Sequence, residues 1–154
     1  MLFRNDLFLL QAHASERSIA HKLGEYLQIL FPDWNVDCEY NRKGLNQKIL
    51  DGISECSEQK RTDRVFPDII VHQRNKNVNL LVIEMKHGAE DPCDIEKLKR
   101  FTAVHGEFGY KSGLFIGFNS TIKLSLKWFE HGQKMTKQPV TRLSHAHHRR
   151  RMNG

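Results

Sequence analysis

The sequence predicts an α/β fold: one domain with a central mixed β-sheet flanked by helices. Three observations lead there. Two runs rich in β-branched residues, Phe66 to His72 and Asn79 to Lys86, are separated by the polar stretch Gln73 to Val78 and read as a hairpin with a longer loop. Before it, Ile19, Leu23, Leu27 and Leu30 recur at helical spacing; after it, Ile95, Leu98, Phe101 and Thr102 do the same. A further apolar run, Gly113 to Phe118, reads as another buried strand. At 154 residues the chain suits a single hydrophobic core.

Each element has a local reason. A short apolar opening, Leu2 to Leu10, precedes a helix expected over Ser15 to Phe31, which Pro32 ends because the residue before a proline is pushed out of helical geometry. Trp34, Val36, Cys38 and Tyr40 alternate with polar residues, the period of a half-buried strand. From Asn41 to Arg64 the chain is polar, with Leu45, Ile49 and Ile53 hinting at a short helix; most of it is expected to be an insertion or mobile connection. Asp91-Pro92, a capping residue followed by proline at the first helical position, opens the second helix. Ile122, Leu124, Leu126 and Trp128 alternate as a possible last strand. The domain is placed at 1–137, followed by a basic tail at 138–154 expected to be disordered.

Composition narrows the function less than it first suggests. The formal net charge is +6, but four arginines (Arg142, Arg149, Arg150 and Arg151) lie in the last stretch, which has no acid; without them positions 1–141 carry +2. Recognition of phosphates would have to come from a local patch or from that tail. No apolar run approaches the roughly 20 residues that cross a bilayer, and the N-terminus has no basic segment followed by a long apolar one. Cys38, Cys56 and Cys93 are odd in number and widely spaced. They are expected to be free thiols in a cytoplasmic protein with no membrane partner.

The chemistry concentrates on the hairpin. Closing it symmetrically about Lys76 sets Asp68 opposite Glu84, and strand alternation puts Asp68, Ile70 and His72 on one face with Leu80, Val82, Glu84 and Lys86. Two acids and an ammonium then meet at one end of an otherwise apolar hairpin. Opposed carboxylates repel and lose hydration when half-buried, and a bound cation offsets both costs. Hard oxygen donors suit Mg²⁺ or Mn²⁺, while Lys86 could orient or help deprotonate an attacking water. The plainer reading is a salt bridge between Lys86 and one of the acids. In the first helix, at about 100° per residue, Glu16 falls in the centre of the stripe formed by Ile19, Leu23, Leu27 and Leu30, so its carboxylate should point at the sheet. Alternatively, Glu16 is a solvated acid favoured by the helix dipole.

Pro67-Asp68, then Glu84-Met85-Lys86, with an acid on a preceding helix, resemble the PD-(D/E)XK nuclease superfamily over roughly positions 13 to 118. The resemblance implies a restriction-endonuclease-like fold and a Mg²⁺- or Mn²⁺-dependent nuclease acting on phosphodiester bonds. It makes Asp68 and Glu84 metal ligands, Lys86 the catalytic lysine and Glu16 the supporting acid. DNA is the favoured substrate and RNA the second. Specificity would come from substrate shape, a homodimer interface or a partner protein. Among the other basic residues, Lys97 on the second helix is expected near the cleaved phosphate, and Arg42, Lys60 and Arg61 are candidate nucleic-acid contacts. His13 reads as a structural histidine. The competing function is a non-catalytic nucleic-acid-binding or regulatory protein that keeps the fold.

Overall fold

The computed structural model describes residues 1–56, 63–119 and 123–136. Lys60, Arg61, Ile122 and the tail at 138–154 lie outside the described residues. The chain runs α1 (Leu2–Asn5), α2 (Leu7–Gln11), α3 (Glu16–Leu30), β1 (Asn35–Cys38), β2 (Arg42–Lys43), β3 (Asn46–Gln47), a 3-10 turn (Ile53–Cys56), β4 (Ile69–Gln73), β5 (Val78–His87), α4 (Pro92–Thr102), β6 (Ser112–Phe118), β7 (Leu124–Glu130) and β8 (Gln133–Lys134). Six strands form one sheet in the order β1-β4-β5-β6-β7-β8, while β2 and β3 pair separately. β5 and β6 are parallel, joined through α4, and the other neighbours are antiparallel. The chain is therefore α/β with a mixed sheet, as its patterning predicts.

Both long helices start where their caps place them. The Ser15 hydroxyl accepts the Ser18 N–H at 3.2 Å, and the Asp91 carboxylate accepts the Cys93 N–H at 2.9 Å, each satisfying a donor that the first helical turn leaves free. The helices then cover opposite faces of the sheet. Ile69, Val71, Leu81, Ile83 and Met85 pack with Ile19 and Ala20 of α3. Ile70 and Val82 face Leu98 and Phe101 of α4, with Phe108, Tyr110 and Phe115 completing that core. Burying a side chain such as Leu98 or Phe101 contributes about 1.5–3 kcal/mol before cavity effects are counted.

Four expectations are corrected. Pairing about Lys76 holds for Ile69↔Ile83, Ile70↔Val82 and Val71↔Leu81, then shifts so that His72 pairs with Asn79. A bulge of this kind inserts one residue and reverses alternation beyond it. Leu80 consequently joins Leu81 against the α3 side, and the Asn79 amide turns to donate to the Phe108 carbonyl at 2.6 Å. In α3 the buried face is Ile19, Ala20 and Gly24, whereas Leu30 is exposed. Gly24 sits so near β1 that a Cβ would stand 2.9 Å from Cys38 Sγ, and close approach of helix to strand rotates the buried stripe toward the small residues.

The polar segment after Asn41 is not a loose connection over its described part. It forms the β2–β3 hairpin and the 3-10 turn, and Leu50, Ile53 and Val65 are buried under the α4 side. The backbone at 48–50 bonds to that at 63–65 through Val65 N–H to Lys48 O at 3.1 Å and Leu50 N–H to Asp63 O at 2.9 Å. Finally, Cys56 and Cys93 form a disulfide with a Cα–Cα distance of 5.4 Å, leaving Cys38 as the free thiol. Their separation of 37 residues concealed a contact made by packing the 3-10 turn on the start of α4. The cysteine argument for the cytoplasm falls with it. Among the described residues no helix is long and apolar enough to cross a membrane.

Candidate active site

The ends of β5 and β6 lie side by side because the strands are parallel, and α4 starts just beyond β5, so side chains from β5 and the first turns of α4 meet there. Asp68 immediately precedes β4. Its Oδ2 accepts the Met85 N–H at 2.6 Å, which fixes the carboxylate against β5. Burial pushes the Asp68 carboxyl up to about 6; the Met85 N–H opposes the rise and the charge of Asp94 adds to it.

Glu84 is 2 % exposed. Its Oε2 lies 3.5 Å from Lys97 Nζ, while its Oε1 is buried with no hydrogen-bond partner. Desolvation raises this carboxyl well above the ordinary glutamate range; the Lys97 ammonium pulls it back, and Asp68 and Asp94 push it further up. Lys97 also contacts Asp94 Oδ1 at 2.8 Å. Burial alone would lower the lysine, but Glu84 and Asp94 hold it above its ordinary value and keep it charged.

Lys86 is turned elsewhere. Its Nζ is 3.8 Å from Glu16 Oε2, with both side chains about a third exposed. Glu16 Oε1 accepts the His87 N–H at 2.8 Å, so the helical acid reaches the end of β5 as its wheel position suggests. Beside it the His13 and His87 rings meet, Nδ1 to Nε2 at 3.3 Å, one nitrogen donating and the other accepting. His13 lies before α3 with a positive φ of 52°, not on the helix.

Comparison with protein-family models and with curated proteins gave no match for this chain.

Lys97 and Asp94 were the positions hardest to value in advance. Both sit in the run Asp94 to Arg100, where charges outnumber apolar residues and a solvated helix face is the ordinary reading. The sequence points to Lys97 and gives Asp94 no place in the site. The one available signal was their spacing of three, which puts an acid and a base on one helix face. Lys99 and Arg100 point away, to Glu96 at 3.6 Å and to the Asp51 carbonyl at 2.7 Å. Arg42, on β2, shares a groove with Tyr40, Lys48, His72 and the β4–β5 turn, at the other end of the hairpin from Glu84.

The donors fit a hard divalent cation in type. Asp68, just before β4, and Glu84, on β5, supply carboxylate oxygens, and the unpartnered Glu84 Oε1 is a buried acceptor awaiting a positive group. Among the described residues, no three His, Cys, Asp or Glu side chains already close on one point as a metal shell does. The charge that balances Glu84 within the chain is Lys97.

Proposed function

We propose that this chain is a metal-dependent nuclease that hydrolyses phosphodiester bonds, with DNA the favoured substrate and a restriction-endonuclease-like arrangement of its α/β sheet. The observation that carries the reading is the meeting of Asp68, Glu84, Asp94 and Lys97, with one buried carboxylate oxygen left without a partner. Buried acids of raised pKa, here Asp68 and Glu84, beside a lysine are costly to a fold and are characteristic of reacting sites.

In this reading Asp68 and Glu84 hold Mg²⁺ or Mn²⁺, with Glu16 as the supporting acid at the site's edge. The bound ion supplies Lewis acidity toward a phosphate oxygen. The chain's own residues do the rest. Lys97, kept charged by Glu84 and Asp94, places positive charge beside the scissile phosphate. Lys86, steered by Glu16, orients the attacking water and meets the charge that develops as the bond breaks. The Met85 N–H holds the Asp68 carboxylate in one orientation, so its second oxygen is available to the site.

The test is cleavage of linear, nicked, branched and single-stranded DNA in Mg²⁺ or Mn²⁺, with EDTA and Glu84→Ala as controls. Cleavage should vanish in both controls while Glu84→Ala remains folded. Equal cleavage by wild type and Glu84→Ala would remove the assignment. One observation favours a second reading, a non-catalytic nucleic-acid-binding or regulatory protein: Lys97 already supplies a cation to Glu84 and Asp94 from within the chain. Such a protein would bind nucleic acid equally well in EDTA and respond chiefly to salt.

A further inference from the structure

At the opposite end of the hairpin from Glu84, Lys48 is buried to 2 % exposure. Its backbone is held on both sides, its N–H donating to the Asn41 carbonyl at 2.6 Å and its carbonyl accepting the Val65 N–H. The ammonium has three protons to place. One goes to the Tyr40 carbonyl at 3.0 Å, and the charge lies 4.9 Å from the Tyr40 ring and 6.0 Å from that of Tyr110. Among the described residues no carboxylate comes within ion-pair distance of it. Asp37, whose charge reaches Lys48, is occupied by His72 at 2.7 Å and by Arg74. Buried charges are ordinarily paired, yet among the described residues this one stands without an anion.

Lys48 lines a groove between the β2–β3 hairpin and the β4–β5 turn. Its described walls include Arg42, Lys43, Lys76 and the amides of Asn75 and Asn77, and contain no Asp or Glu. Lys43 is engaged by Glu107, whose carbonyl it meets at 2.9 Å and whose carboxylate it meets at 3.4 Å. Among the described residues Arg42 makes a long contact, 3.4 Å, to the Leu45 carbonyl. Two cationic side chains at the rim, side-chain amides between them and an under-bonded ammonium inside make a site for a compact, multiply charged oxyanion.

We propose that this groove is a phosphate-binding subsite, with Lys48 inside it and Arg42 and Lys76 at its rim. Where the phosphate belongs to a nucleic-acid strand, the subsite extends the nuclease reading above and holds that strand away from the carboxylates. A free phosphate or diphosphate offers the same chemistry, and the experiment separates the two.

Binding of a fluorescent DNA duplex by the full chain is measured by anisotropy in EDTA, so that no cleavage intervenes, for wild type, Arg42→Ala, Lys76→Ala and Lys48→Met. Thermal unfolding of the same proteins is followed with added inorganic phosphate or pyrophosphate. Loss of a charge-assisted contact should weaken DNA binding about tenfold for Lys48→Met and severalfold for each rim variant. Arg42 and Lys76 are exposed, so their variants report even if Lys48→Met folds poorly. Stabilisation by phosphate that is lost in the variants, without a change in DNA affinity, identifies a small phosphate compound as the occupant. DNA affinities within twofold of wild type, together with no phosphate-dependent stabilisation, overturn the subsite. Cleavage in Mg²⁺ is scored separately: variants that bind normally but wild type that cleaves sink the subsite alone, and weakened variants of a wild type that never cleaves sink the nuclease alone.

Discussion

Two lysines in this molecule carry their charge away from bulk water, and they do so in opposite ways. Lys97 lies between Glu84 and Asp94, which hold its ammonium above the ordinary lysine range despite burial. Lys48 meets a carbonyl and two aromatic rings, and burial lowers it to about 8, with the charge of Asp37 opposing. At Lys97 the cation stands among acids; at Lys48 no carboxylate of the described residues is within ion-pair distance. The same side chain thus stands in one site among acids and in the other without one, and the partners, not the burial, decide whether its charge is held up or pushed down.

The largest effect expected from breaking this comparison is at Lys97. Lys97→Met should destabilise the fold by about 3 kcal/mol in denaturant titrations near neutral pH, because it strands the buried Glu84 beside Asp68 and Asp94. The loss should shrink in acid, where the carboxyls take up protons. An unchanged midpoint would mean that Lys97 does not balance the acids.

Asp68→Asn should act in the reverse direction. The folded carboxyl titrates at about 6 against an ordinary 3.8, so its favourable contribution is complete below 3.8 and is lost as the pH rises through 6. The amide avoids that loss and can still accept the Met85 N–H. It should stabilise the protein by about 2 kcal/mol at neutral pH and not at all in strong acid. Metal-dependent cleavage should fall sharply, since an amide is a poorer ligand for a hard cation. Destabilisation at neutral pH would contradict the burial argument.

Lys48 sharpens the contrast through alkaline titration. A lysine lowered to about 8 binds fewer protons in the folded state than in the unfolded state up to 10.5, so the fold gains stability as pH rises through that window. The wild type should gain about 3 kcal/mol there relative to Lys48→Met, which has nothing to titrate at that position. Parallel curves for the two proteins would show that Lys48 is not held in a depressed state. The smallest effect should come from Lys86→Ala. Its partly exposed pair with Glu16 is screened by solvent and is worth under about 0.5 kcal/mol, so unfolding should barely change while cleavage drops if Lys86 serves the nucleophile.

What the sequence made legible follows the range of the interactions involved. The caps at Ser15 and Asp91 and the apolar stripe of α4 depend on neighbours a few positions away, and the register from Ile69 to Val71 on a single short hairpin, so each could be read directly. The bulge after Val71 left no mark in the hydrophobic pattern, because Leu80 and Leu81 are equally apolar and either could face α3. Gly24 has no side chain to mark it as part of a buried face, and that missing side chain is what lets the helix approach Cys38. Asp94 and Lys48 were concealed for a related reason. A charged residue in a polar segment gives no sign of burial until the element opposite is placed, and for Lys48 that element is a hairpin only two residues deep on each side.

The parallel pairing of β5 and β6 also bears on the order in which the molecule can assemble. Glu84, Asp94 and Lys97 belong to one continuous stretch, β5 followed by α4, whereas Glu16 reaches His87 from far up the chain. Short loops close at lower entropic cost than long ones, so the acids and Lys97 can come together as a local unit during folding, before α3 docks and brings Glu16 to Lys86. Changes in the N-terminal helices should therefore alter Glu16 and Lys86 late in folding, while leaving the nascent cluster on β5 and α4 able to form.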